Sequence, residues 1–368
     1  MMNIFNRDVR HLDMLTSEME WMMQISDLRT TVNRGLLDFA WRQWSQLGVS
    51  ASVTGGDLWA ADPEALILFT LGIARRDPRL FDEVLDWVAL NQKLLSMQRL
   101  RNLTARFPVD ADLVAAVVAW AREPVPTDVL VSQERAVRAR PKEGDQAEQP
   151  VFSPDVLGFV TKGDPIFAEH GFIRPIVVRS GKSRAPDLGH PVNFAFRLRQ
   201  LFGPGSRSEV MRILLTYRDG PLDAARIADE AAFAKRNASE ALAAVAASGA
   251  ISATWSGNER HFRARREPWA TLLGLDDMPA FVSWVHLLPA ALEVSAWLDE
   301  KTDSVESDYL LASQARSLID KVGRDLQTAG VDIPRRSPSD GPAFLLAFET
   351  ATDTILAALG VGHGPPAI

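Results

Sequence analysis

Cysteine is absent from the sequence. Disulfides, thiolate zinc sites and cysteine nucleophiles are thereby excluded, and the absence accords with a reducing compartment. Residues 1–10 contain no apolar stretch of the kind a secretory leader needs. Long apolar runs are scarce as well, and residues 281–298 come nearest to the length of a membrane span. His286, Pro289 and Glu293 interrupt that run. An acid near a bilayer centre costs about 2.5–3.5 kcal/mol, so the run reads as a buried core or dimer helix. The expectation is a cytoplasmic protein with no membrane partner.

Histidine is sparse: His11, His170, His190, His261, His286 and His363. None stands in the His-x-x-x-His or His-Glu-x-x-His spacing that puts two ligands on one helical face, so no metal is expected. Residues 180–183, Ser-Gly-Lys-Ser, resemble the end of a phosphate-binding loop, but position 176, where that loop needs glycine, is Ile. No nucleophile stands beside a general base in the sequence. The chain is therefore expected to be no enzyme and to carry no cofactor.

What is present points elsewhere. Apolar residues make up 46% and charged residues 24%, enough for an ordinary folded core. The net charge is −7, unevenly spread. Residues 194–268 hold twelve Lys and Arg against eight Asp and Glu, a net +4, which leaves −11 for the remainder. A basic module in an acidic frame is the pattern of a protein that meets phosphate with one part.

Five segments follow from composition and periodicity. Residues 1–122 read as an all-helical domain, with Leu36, Leu37, Ala40, Trp41 and Trp44 forming one apolar stripe. Asp62-Pro63 and Asp77-Pro78 open two of its helices as cap and first residue. Residues 123–150, with four prolines and ten charged side chains, read as a flexible linker. Residues 151–193 are irregular, with a short strand expected at 176–179. Residues 194–268 form the basic module, and residues 269–368 return to helix, kinked or split at Pro289. The fold class expected is mainly α. Arg99, Arg101 and Arg106 mark a weaker candidate for a second helix-turn-helix, although basic residues at a helix end also complement its dipole.

Within the basic module, residues 206–209 (Ser-Arg-Ser-Glu) have the capping-box pattern, followed by Val210, Ile213, Leu214 and Tyr217 on one helical face. Residues 219–221, Asp-Gly-Pro, end that helix. A short helix starts at the cap Asp223, and a third runs over 235–248 with Ala238, Ala241, Leu242 and Val245 inward and Gly249 as its left-handed cap. Ile251, Ala253 and Trp255 then alternate with polar residues, as do Phe262 and Ala264, around a turn at 256–259. Helix, short helix, helix and hairpin is the winged helix-turn-helix order.

On these residues, the stretch 201–266 resembles the winged-helix bacterial regulators of the ArsR and MarR kind. The chain departs from the ArsR sensors in having no metal-binding cysteines and in its large flanking regions. Position 234, where such helices start with Ser or Thr, is Ala. The resemblance implies sequence-selective binding of double-stranded DNA by a transcriptional regulator, expected as a homodimer. It implies that the third helix enters the major groove, with Lys235, Arg236, Asn237 and Ser239 reading base edges. It also implies that the wing residues Arg260, His261, Arg263 and Arg265 touch phosphate or the minor groove. The rival reading is a non-catalytic, antitoxin-like adaptor that docks a protein partner through the same module.

Overall fold

The computed structural model describes residues 5–51, 56–123, 149–153, 163–176, 178–302, 306–333 and 341–361, with side chains from residue 25 onward. The chain is mainly α and divides into two compact units, one of residues 1–39 with 286–367 and one of residues 40–285. The boundary placed at residue 122 by composition falls inside the second unit. Residues 124–148 of the expected linker lie outside the described residues.

The first unit is helical. It takes the start of α1 (Phe5–Leu47), most of α12 (Trp284–Thr302), and all of α13 (Asp308–Thr328) and α14 (Phe344–Ala358). Val32 and Leu36 of α1 are buried, as are Leu288, Leu292, Ile319 and Phe348. A Cβ added at Gly35 would stand 2.9 Å from Leu356, so glycine there permits close helix approach. Among the described residues no helix is long and apolar enough to cross a membrane. Helix α12 runs unbroken through Pro289 rather than splitting there. Its polar groups find partners: His286 Nδ1 meets Asp325 at 2.8 Å and Glu293 meets Lys321 at 2.8 Å.

The second unit begins with α2 (Pro63–Ile73), α3 (Pro78–Asn91), α4 (Met97–Thr104) and α5 (Ala111–Arg122). Asp62 and Asp77 cap α2 and α3 as their Asp-Pro sequences require. Trp44, Trp87 and Trp120 are core residues with almost no exposure. Each of the first two also places its indole N–H, Trp44 on Thr70 and Trp87 on the Leu47 carbonyl. The next segment holds β1 (Gln149–Pro150), α6 (Pro165–Glu169) and β2 (Phe172–Ile173), with β1 and β2 parallel. The expected strand at 176–179 is corrected: residues 176, 178 and 179 are not strand, and residue 177 lies outside the described residues. The 180–183 loop already holds an anion of its own, since the Asp86 carboxylate accepts from the amides of Ser180 and Gly181.

Next come α7 (Phe194–Phe202), α8 (Ser206–Thr216), β3 (Leu222–Asp223), α9 (Ala224–Ala231), α10 (Lys235–Ala247), β4 (Ser252–Ser256), β5 (Glu259–Arg263) and α11 (Arg266–Leu273). Strands β3, β5 and β4 form one antiparallel sheet in that order. Val210, Ile213, Ile227, Leu242, Ile251 and Phe262 join in one core beneath it. The element order is the expected helix, short helix, helix and hairpin, with β3 as an element that two residues of sequence are too short to announce.

The capping box at 206–209 is corrected. Gly205 is the cap, and the Ser208 hydroxyl bonds the Gly205 backbone, donating to its carbonyl at 2.8 Å. Glu209 is instead buried and charged. Its carboxylate accepts from Arg199 at 2.6 Å and Arg212 at 2.9 Å, with Arg99 Nε at 3.7 Å. Arg199 also clasps Glu64 at 2.7 and 2.8 Å, and Arg99 clasps Asp62 and reaches Glu64 at 3.0 Å. Three carboxylates and three guanidiniums thus meet from the start of α2, from α4, from α7 and from α8, all buried.

Burial alone would push the Glu209 and Asp62 carboxyls above their ordinary range, but the adjacent guanidiniums outweigh it and hold both below that range. Carboxyls depressed in the folded state stabilise it at every pH above about 4, their unfolded range, and that contribution drains away as pH falls further. Removing one charge from such a set leaves its partners buried and unmatched. Glu209→Gln is therefore expected to cost about 3–5 kcal/mol in urea unfolding at neutral pH. The deficit should shrink towards pH 2. A loss under about 1 kcal/mol would show that the network does not carry the fold.

Candidate nucleic-acid interface

Helix α10 presents two faces. Ala238, Ala241, Leu242 and Val245 are buried as their spacing requires. Lys235 and Arg236 are exposed, and Asn237 and Ser239 half-buried, all off the apolar face. Asn237 and Glu240 share an open cleft of about 320 Å³ with Ser206 and Arg207 from the start of α8. Arg207 is a cation that the sequence reading left out, because it takes tertiary packing to bring residues 207 and 237 together. Arg236 donates to Glu240 one turn along at 2.9 Å, so part of its charge is spent within the helix.

The helix start is held by contacts from far away in sequence. Arg99 Nε donates to the Ala231 carbonyl at 2.8 Å, Asn102 to Ala232 at 2.9 Å, and Arg106 to Asp229 at 3.0 Å. Two of the three arginines that suggested a second helix-turn-helix are thus engaged in gripping the turn of the first. That turn has Ala232 in the left-handed region, φ 52°. Asp223 caps α9 as expected, accepting from Ala225 and Arg226.

Of the basic residues in the module, Arg199 and Arg212 are neutralised in the core. Arg218 pairs with Asp277 and Arg226 with Glu230, and Arg266 bonds the Leu215 and Tyr217 carbonyls. Lys235, Arg207, Arg263 and Arg265 make no ion pair with the described residues and face solvent.

The hairpin closes through a two-residue loop, with Gly257 at φ 60° where a type II′ turn wants a residue free of Cβ. Register separates the four expected wing residues. Arg260 lies opposite Trp255, His261 opposite Thr254, and Arg263 opposite Ser252. Because strand side chains alternate, Arg260 shares the face of Phe262, whereas His261 and Arg263 project from the other, and Arg265 lies beyond β5 as the residue before α11. Arg260 stands 5.2 Å from the Phe262 ring. His261 Nδ1 is buried with no hydrogen-bond partner among the described residues. Trp255, read from alternation as an inward residue, is 72% exposed, because the strand runs past the edge of the core.

Among the described residues no group of His, Asp and Glu is arranged to hold a metal ion. Comparison with protein-family models, curated proteins and solved structures found no match to this chain. The module is defined by its own geometry.

Ala234 caps α10 without a side-chain hydrogen bond, leaving amides of the first turn unpaired. Ala234→Ser is expected to stabilise the protein by about 1 kcal/mol in urea unfolding. No gain would mean that those amides already have partners.

Proposed function

We propose that this chain binds double-stranded DNA in a sequence-selective manner and acts as a transcriptional regulator. The observation that carries the reading is the exposed start of α10, where Lys235, Arg236, Asn237 and Ser239 stand clear of the core on a braced helix beside a cationic hairpin. Asn and Arg there suit bidentate contacts to adenine and guanine edges in the major groove. Arg207 at the start of α8 and the cationic hairpin beside it supply phosphate-facing charge around it. The protein acts in the cytoplasm as a homodimer, whose paired helices read half-sites about one helical turn apart. It uses no cofactor and catalyses no reaction. The resemblance of residues 201–266 to ArsR- and MarR-type regulators supports the same reading.

The test is enrichment of duplexes from a random pool by the purified protein, followed by titration over a range of salt. Lys235→Ala with Asn237→Ala should abolish selection of the enriched site and lower the salt slope by about 0.9, the value of one phosphate contact. Glu240→Ala, which frees Arg236 and removes a carboxylate from the surface, should tighten binding several-fold. Failure to enrich any duplex, with a protein co-purifying instead, would overturn the reading in favour of a docking adaptor.

A further inference from the structure

The wing offers DNA two different faces, and the register decides between them. One face carries Ser252, Thr254 and Ser256 on β4 against Glu259, His261 and Arg263 on β5, with Asp223 of β3 beside His261. Its charges are mixed: Glu259 and Asp223 stand among the cations. The other face places Ala253 and Phe262 on the core and continues past the core's edge as the cross-strand pair Trp255 and Arg260. No acid lies on this part of the hairpin.

A tryptophan held 72% in water by a hairpin fixed with a tight turn is an apolar surface without an intramolecular use. Its cross-strand neighbour is a guanidinium 5.2 Å from the Phe262 ring, so the cation is seated without being neutralised. An aromatic plane beside an unneutralised guanidinium suits a ligand that presents a flat or sugar surface next to a phosphate. Charge complementarity therefore favours a nucleic-acid strand over an acidic or purely apolar partner.

We propose that the wing grips duplex DNA with its inner face, Trp255 packing on sugar or base edges and Arg260 on the neighbouring phosphate, while Arg263 on the outer face and Arg265 beyond it stay in solvent. The proposal rests on the DNA-binding reading above and narrows its wing to one face. Trp255 is a positioning contact that adds affinity wherever the wing lands, through the sequence-tolerant packing that any base or sugar allows.

The experiment compares wild type, W255A, W255F, R260A and the R263A/R265A double variant, titrated against the enriched duplex of about 30 base pairs, long enough for two half-sites. Expected are about tenfold weaker binding for W255A with the salt slope unchanged, and near wild-type affinity for W255F. R260A should bind more weakly with a slope lower by about 0.9, and R263A/R265A should stay within about twofold of wild type with no change of slope. Because Trp255 is exposed, its variants should keep the wild-type thermal midpoint, which separates a contact from a folding defect. Equal losses from inner- and outer-face variants, a loss confined to the outer pair, or no loss from W255A would overturn the proposal. If the wing variants bind as wild type while the Lys235 and Asn237 variant fails, the wing assignment alone falls. If wild type holds no duplex at all, the DNA-binding reading falls with it.

Discussion

Six buried charges hold the second unit together. Asp62, Glu64 and Glu209 face Arg99, Arg199 and Arg212, three against three, with almost no solvent access. Desolvating so many ions is costly, and their mutual attraction offsets the cost only when each hydrogen bond is made in good geometry. The backbone helps to meet that requirement. Glu64 accepts from the Ser96 amide at 2.7 Å, Asp62 from the Ala65 amide at 3.1 Å, and Arg199 also donates to the Leu94 carbonyl at 2.8 Å. A balanced set of this kind favours one arrangement of α2, α4, α7 and α8, because any slip leaves a charge without its partner.

The network also shapes the surface. It withdraws Arg199 and Arg212 from the basic module, so the cations left to meet a polyanion gather at the starts of α8 and α10 and on the hairpin. Arg99 works at both levels: its terminal nitrogens sit in the network while its Nε holds the Ala231 carbonyl at the turn before α10. With Asn102 and Arg106 on the neighbouring carbonyls, α4 and the residues just after it hold the turn that leads into α10. The helices before residue 122 are thus the mount on which the start of α10 is fixed.

Much of this fold was legible in the sequence because local chemistry writes it there. Asp-Pro pairs mark the starts of α2 and α3, the spacing of Ala238, Leu242 and Val245 gives the buried face of α10, and Gly257 marks the hairpin loop. The exposed placement of Lys235, Arg236 and Arg263 follows from the same periodicities. What local pattern cannot carry is pairing over distance. Glu209 reads as a capping acid until Arg99 and Arg199 are folded against it, and Arg99 and Arg106 read as a free basic face until Ala231 and Asp229 arrive. Alternation assigned Trp255 to the interior because it carries no information about where the core ends. The parallel pair of β1 and β2, two residues each, falls below any periodic signal.

Amide hydrogen exchange on the full chain, with and without the enriched duplex, tests the central claim most directly. The account predicts new protection at residues 235–240 and 255–260 on adding DNA, with α2, α4, α7 and α8 exchanging slowly in both states. Protection appearing in α13 and α14 instead, or nowhere despite binding, would contradict it.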